Sequence, residues 1–141
     1  MGEEDIVAIT SGFNHVATLT SDLDRFKAWY AKVFDAQTTF EMDALEDHPR
    51  MAIVELGGGA TLNVFEVEER ELIGERRTIG ARGAIDHFGI AAADLATLEL
   101  VRDRLLAADA DTGDIQQLGE EWSLFFRDVD GMELEVCAPV G

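Results

Sequence analysis

Four side chains capable of chemistry stand at matched places in this sequence: His15, Asn63, His87 and Glu135. The stretch Phe13-Asn14-His15-Val16-Ala17-Thr18-Leu19-Thr20-Ser21-Asp22-Leu23 returns 72 residues later as Ile85-Asp86-His87-Phe88-Gly89-Ile90-Ala91-Ala92-Ala93-Asp94-Leu95. The same offset carries Leu62-Asn63-Val64-Phe65 onto Leu134-Glu135-Val136-Cys137. Imidazole nitrogens and a carboxylate are good ligands for divalent first-row metals. A duplicated scaffold that carries them at equivalent positions predicts one site between its halves. A lone histidine on a half-buried strand is more often structural. The coincidence of His15, His87 and Glu135 within one repeat weighs against that reading.

The elements that must position these residues follow from periodicity. Residues 12–20 alternate as a strand, and Asp22 then caps a helix whose stripe is Leu23, Phe26, Tyr30, Val33 and Phe34. The second copy repeats this with Asp94 as cap and Leu95, Leu98, Val101, Leu105 and Leu106 as the stripe. After each helix come three short β-rich runs: Gln37–Met42, Arg50–Leu56 and Ala60–Val67, then Asp114–Leu118, Trp122–Arg127 and Met132–Ala138. Gly57-Gly58-Gly59 and Asp128-Val129-Asp130-Gly131 supply the last turns. No Lys follows the glycine run, so a hairpin explains it better than a phosphate loop. The expected architecture is α+β: a single domain over residues 12–140, made of tandem β-α-β-β-β modules at 12–67 and 84–140 joined by a charged linker at 68–83.

Alternation also sorts faces, because side chains two apart on a strand point the same way. The repeated Leu-x-Val pairs, Leu62/Val64 and Leu134/Val136, are expected against the helices. Asn63 and Glu135 then lie on the opposite, concave side, with Phe65, Glu133 and Cys137. His15 and His87 join them if Val16, Phe88 and Ile90 cover the helices. Cys137, the sole cysteine, reads as a small core residue, and His48, in an acidic loop before Pro49, as a solvent residue. Phe65 is the expected pocket wall. Phe125 is a further pocket candidate, and Arg127 shares its face, where it would meet an anionic substrate or form a surface ion pair. Trp29, Trp122 and Phe126 are expected in the core.

Composition restricts partners. At 141 residues and 47% hydrophobic content the chain can fill one core. A formal net charge of −18 excludes nucleic acid and anionic membranes as natural partners. The partner is expected to be a small molecule or another protein. No apolar run approaches a membrane span, the acidic N-terminus is unlike a signal peptide, and one cysteine allows no intrachain disulfide; a cytoplasmic location is expected.

His-x6-Asp-Leu before an amphipathic helix, the glycine-rich hairpin, and Phe125-Phe126-Arg127-Asp128-Val129-Asp130-Gly131-Met132-Glu133-Leu134-Glu135 together resemble the vicinal oxygen chelate superfamily. That group includes glyoxalase I, extradiol dioxygenases, methylmalonyl-CoA epimerase, fosfomycin-resistance thiol transferases and bleomycin-resistance binding proteins. The resemblance implies a curved mixed sheet, built from the paired modules around a central cavity, with ligands from the first and last strand of each module. Here those are His15, Asn63, His87 and Glu135. Asn63 departs from glyoxalase I, which usually has a carboxylate there. The remaining His15, His87 and Glu135 match the two-His-one-carboxylate set of the dioxygenases and fosfomycin transferases. The resemblance thus implies a homodimer and a divalent ion (Fe, Mn, Zn or Ni) acting as Lewis acid on a small substrate with vicinal oxygens, in lyase, isomerase or dioxygenase chemistry. Glu135 and Glu133 are the expected catalytic carboxylates, and Glu55, Tyr30 and His48 stand behind Glu133 for proton transfer. Two alternatives are a metal-free binding protein that sequesters an antibiotic and a fosfomycin-type thiol transferase.

Overall fold

Asp22 and Asp94 open the two helices as their types dictate. Asp22 Oδ1 accepts from the Arg25 N–H at 3.0 Å and Asp94 Oδ1 from the Thr97 N–H at 2.9 Å, satisfying donors that the first helical turn leaves without partners. The computed structural model describes residues 7–9, 13–69, 72 and 87–141. Its elements run β1 (His15–Thr20), α1 (Leu23–Phe34), β2 (Gln37–Met42), β3 (Met51–Gly57), β4 (Ala60–Glu66), β5 (Phe88–Ala91), α2 (Leu95–Ala107), β6 (Gln116–Leu118), β7 (Glu121–Arg127) and β8 (Glu133–Pro139). This is the tandem β-α-β-β-β order expected from the repeat. The expected linker lies outside the described residues except at positions 68, 69 and 72, and β1 starts at His15, with 10–12 outside.

Each module forms its own four-stranded mixed sheet, ordered β1-β4-β3-β2 and β5-β8-β7-β6. The first and last strands of each module pair in parallel and the rest pair antiparallel. The offset of 72 holds for these pairings: Val16↔Leu62 and Ile53↔Asn63 in the first sheet correspond to Phe88↔Leu134 and Phe125↔Glu135 in the second. The β3–β4 turn places Gly57, Gly58 and Gly59 at φ 106°, 62° and 82°, a region that side chains disfavour. α1 ends at Asp35 in the left-handed region, φ 56°.

The helix-covered faces make the cores. Leu62, Val64, Phe26 and Tyr30 are buried in the first, and Leu98, Leu124, Leu134 and Val136 in the second. Side chains of this size each contribute about 1.5–3 kcal/mol when fully buried. Leu106, part of the sequence-derived stripe of α2, is 48% exposed, because α2 buries only Leu98, Val101 and Leu105. The two modules meet through these same faces. Val33 of α1 belongs to the second core, and the Trp29 ring stacks on Phe126 with centroids 6.3 Å apart. Trp29, Trp122 and Phe126 are thus packing residues, as expected. The two sheets are not hydrogen-bonded to one another, and the open faces that carry His15 and His87 take no part in the junction.

Candidate metal and substrate site

The open face of the second sheet brings three chemistry-bearing residues together. Gly89 of β5 is registered beside Glu135 of β8, and Glu135 beside Phe125 of β7. His87, immediately before β5, shares the face of Gly89, and its Nε2 lies 3.3 Å from Glu135 Oε1. The two side chains are 31% and 16% exposed, so both are shielded and still reachable. The Phe125 ring stands edge-on to the His87 ring at 5.3 Å and restricts its rotation. Ser123 Oγ donates a short hydrogen bond to Glu135 Oε2. One carboxylate oxygen is thereby held by the protein while the other faces the imidazole.

Two neighbours complete this patch. Glu133 Oε2 accepts from Arg127 Nε at 3.2 Å, so the anion-contact role expected for Arg127 is joined to an ion pair with the candidate catalytic carboxylate. Cys137 does not belong to the core: it is half-buried on the open face, registered opposite Ser123, and burial with the neighbouring Glu135 carboxylate pushes its thiol up to about 12. It stays a neutral thiol. Ser123 went unrecognised in the sequence. Alternation places it on the face of Phe125 and Arg127, whereas only the cross-strand register shows that it reaches Glu135.

His15 is elsewhere. It is exposed on the open face of the first sheet, registered to Thr61, with Asn63 one step further along the same face, and its Nδ1 lies 2.9 Å from Asn14 Oδ1. Among the described residues no group of three His, Cys, Asp or Glu side chains converges as a metal site. A single chain joins His87 to Glu135 and leaves His15 apart.

The further proton-transfer candidates separate as well. Tyr30 is 1% exposed at the junction between modules, where its hydroxyl donates to Asp128. Burial and the neighbouring carboxylates push its hydroxyl well above the usual range, which removes it from proton exchange with a substrate. Glu55 is exposed on the first sheet's open face. His48 is not a freely solvated loop residue: its ring is half-buried against Phe65, 5.8 Å between centroids, and its Nδ1 donates to the Pro49 carbonyl at 2.7 Å.

The donor pair fits a divalent ion. Two ligands bonded to one ion at roughly 2.0–2.2 Å, at tetrahedral or octahedral angles, lie about 3.0–3.5 Å apart, and His87 Nε2 and Glu135 Oε1 are 3.3 Å apart. A second protein donor held as Ser123 holds Glu135 is the usual support for such a ligand.

The family model described as Glyoxalase/Bleomycin resistance protein/Dioxygenase superfamily matches residues 12–136. No curated protein sequence matches the chain. Among solved structures, a glyoxylase/bleomycin resistance protein/dioxygenase domain from Frankia sp. EAN1pec is 27% identical, with 92% of this chain and 98% of that one covered and a TM-score of 0.77. The genomically encoded fosfomycin resistance protein FosX from Listeria monocytogenes, complexed with Mn(II) and sulfate, is 17% identical, with 93% and 92% covered and a TM-score of 0.71. Lactoylglutathione lyase from Agrobacterium tumefaciens is 22% identical, with 93% and 96% covered and a TM-score of 0.65. At these identities the last two share the fold. No helix among the described residues is long and apolar enough to cross a membrane.

Proposed function

The chain belongs to the Glyoxalase/Bleomycin resistance protein/Dioxygenase superfamily, and from that premise we propose that it is a divalent-metal-dependent enzyme acting on a small substrate with vicinal oxygens, its ion held by His87 and Glu135 of one copy and His15 of a second copy. The observation that carries this reading is the 3.3 Å pairing of His87 Nε2 with Glu135 Oε1 on an open sheet face, with Ser123 holding the other carboxylate oxygen. The repeat gives His15 the position equivalent to His87 on the first sheet's open face, where no three-donor group forms among the described residues. A second copy, arranged so that the first module of one chain faces the second module of the other, supplies what is missing.

The ion, when bound, supplies Lewis acidity toward the paired substrate oxygens. The residues do the rest. Ser123 fixes Glu135 and Phe125 fixes His87, so both donors are oriented before an ion arrives. Glu133, held by Arg127, is the carboxylate positioned on this patch to exchange a proton with the substrate carbon. Arg127 draws anionic character in the substrate toward the patch. Asn63, from the opposed module, offers an amide that hydrogen-bonds a substrate oxygen without adding charge.

Anaerobic titration with Mn(II), the ion named in the FosX structure, tests the reading. The unmodified protein should take up near-stoichiometric metal, and Glu135→Ala and His15→Ala should each lose it. Mixing the two variants should restore about a quarter of the unmodified sites, since random exchange of halves gives one intact site in each mixed dimer. That no three-donor group forms among the described residues favours a second reading, a metal-free protein that sequesters a small molecule. Equal and negligible uptake in all samples sinks the metal-dependent reading and favours the second.

A further inference from the structure

The open face of the first sheet is graded along its strands. One cross-strand row holds His15, Thr61, Glu55 and Gln37. Two residues on, the row is Ala17, Asn63, Ile53 and Phe40, a bulge between Thr38 and Phe40 keeping β2 in step. Another two residues on, it is Leu19, Phe65, Met51 and Met42. The face thus passes from polar to wholly apolar over four residues, about 13 Å along a strand.

The other module shows that the fold does not demand this. At the repeat-equivalent positions the second sheet carries Ala91 for Leu19, Cys137 for Phe65 and Ser123 for Met51. Bulk needed for packing a sheet of this topology would be present in both copies. Only the first module has the shelf. The loop between β2 and β3 also folds back onto it: Leu45 and His48 exchange two backbone hydrogen bonds in a tight turn, and the His48 ring rests against Phe65. Met51 is only 7% exposed and Met42, which ends the row, is half-buried, while Leu19 at the other end is 40% exposed. The row is closed at one end and open at the other, on the same face as His15.

We propose that the Leu19–Phe65–Met51 row is a specificity shelf that binds an apolar tail, acyl or aryl, attached to the oxygen-bearing head of the substrate. This rests on the metal-dependent reading above and narrows it: a substrate no larger than its chelating head leaves the shelf bare. Leu19 and Phe65 contact the tail directly, and His48 positions Phe65.

Hydroxamates of increasing chain length test the shelf, because each presents two adjacent oxygens to an ion and differs only in its tail. Binding of acetohydroxamate and octanohydroxamate to the Mn(II)-loaded protein is measured by calorimetry, with Leu19→Gln and Phe65→Gln as variants and dimerisation followed by light scattering. A methylene buried on an apolar surface changes affinity about fourfold, and a shelf open at one end that covers roughly three to four of the six added methylenes should bind the octanoyl compound about a hundredfold more tightly. Both variants should lose most of that gain and keep acetohydroxamate affinity and dimerisation. Tail length without effect in the unmodified protein, or a gain that survives both substitutions, overturns the shelf. Leu19→Gln dissociating the dimer also overturns it, by assigning the row to the second copy. Failure to retain Mn(II) is a different result, since it removes the metal-dependent reading before tail length is examined.

Discussion

Tyr30 and Asp128, 98 positions apart, join the two modules through one buried hydrogen bond, 2.8 Å from Tyr30 Oη to Asp128 Oδ2. Asp128 Oδ1 in turn accepts from the Asp130 and Met132 N–H groups at 2.9 Å and so shapes the β7–β8 turn. Asp130 extends the contact to Arg25 of α1 at 2.9 Å, and Arg104 of α2 reaches Asp35 at 2.9 Å. The relative placement of the modules, and with it the separation of His15 from His87, is held at these points. Tyr30→Phe should leave a buried carboxylate oxygen without its donor and lower stability by about 1–3 kcal/mol in urea denaturation. An unchanged midpoint would mean that the apolar junction alone places the modules.

Burial pushes the Asp128 carboxyl above its ordinary 3.8, against the opposing pull of its hydrogen bonds. The folded chain therefore holds this proton more tightly than the unfolded chain. The stability associated with that proton is fully present below the unfolded value and is lost as pH rises through the raised folded value. Asp128→Asn retains an oxygen for the two backbone donors and does not titrate. The variant should accordingly gain on the unmodified protein as pH is raised from about 3.5 to about 7. Urea midpoints of both proteins across this interval check the sign; a constant difference would sink it.

Ser123 is the residue whose removal separates orientation from ligation. Ser123→Ala keeps Glu135 and His87 but frees the second carboxylate oxygen, and Mn(II) affinity should fall about tenfold, within the usual range for a lost support of a ligand. Competition with a coloured chelator measures this. Loss of metal as complete as in Glu135→Ala would instead point to a collapsed face, which near-ultraviolet circular dichroism would register.

Asp94 offers a test of local structure alone. Its Oδ1 accepts from both the N–H and the hydroxyl of Thr97, at 2.9 and 2.7 Å, and these bonds hold its carboxyl below the ordinary range. Asp94→Ala should lower the urea denaturation midpoint at neutral pH. Metal uptake should be unaffected, because α2 lies on the covered face of its sheet.

The repeat, the order of elements and the face on which each candidate lies were legible in the chain, because each depends on short-range rules. Strand alternation alone separates Leu62 and Val64 from Asn63, and Leu134 and Val136 from Glu135. A carboxylate that can accept from the third residue after it starts a helix, which is why Asp22 and Asp94 mark both helix starts. The matched offset then carries the first module's description onto the second.

What only the tertiary structure decided is which groups on a face meet, and how the two modules sit. Cross-strand packing brings Ser123 to Glu135, and a loop that folds back puts His48 on Phe65. None of these follows from periodicity, which fixes a side chain's direction and not its neighbour on another strand. The junction is less legible still. Stacking of Trp29 on Phe126 and the bond from Tyr30 to Asp128 join residues about a hundred positions apart, and their complementarity is a matter of three-dimensional packing. Pairing of β5 with β8 holds His87 beside Glu135, and the junction keeps His15 away from both, a division that a repeat with matched histidines does not reveal.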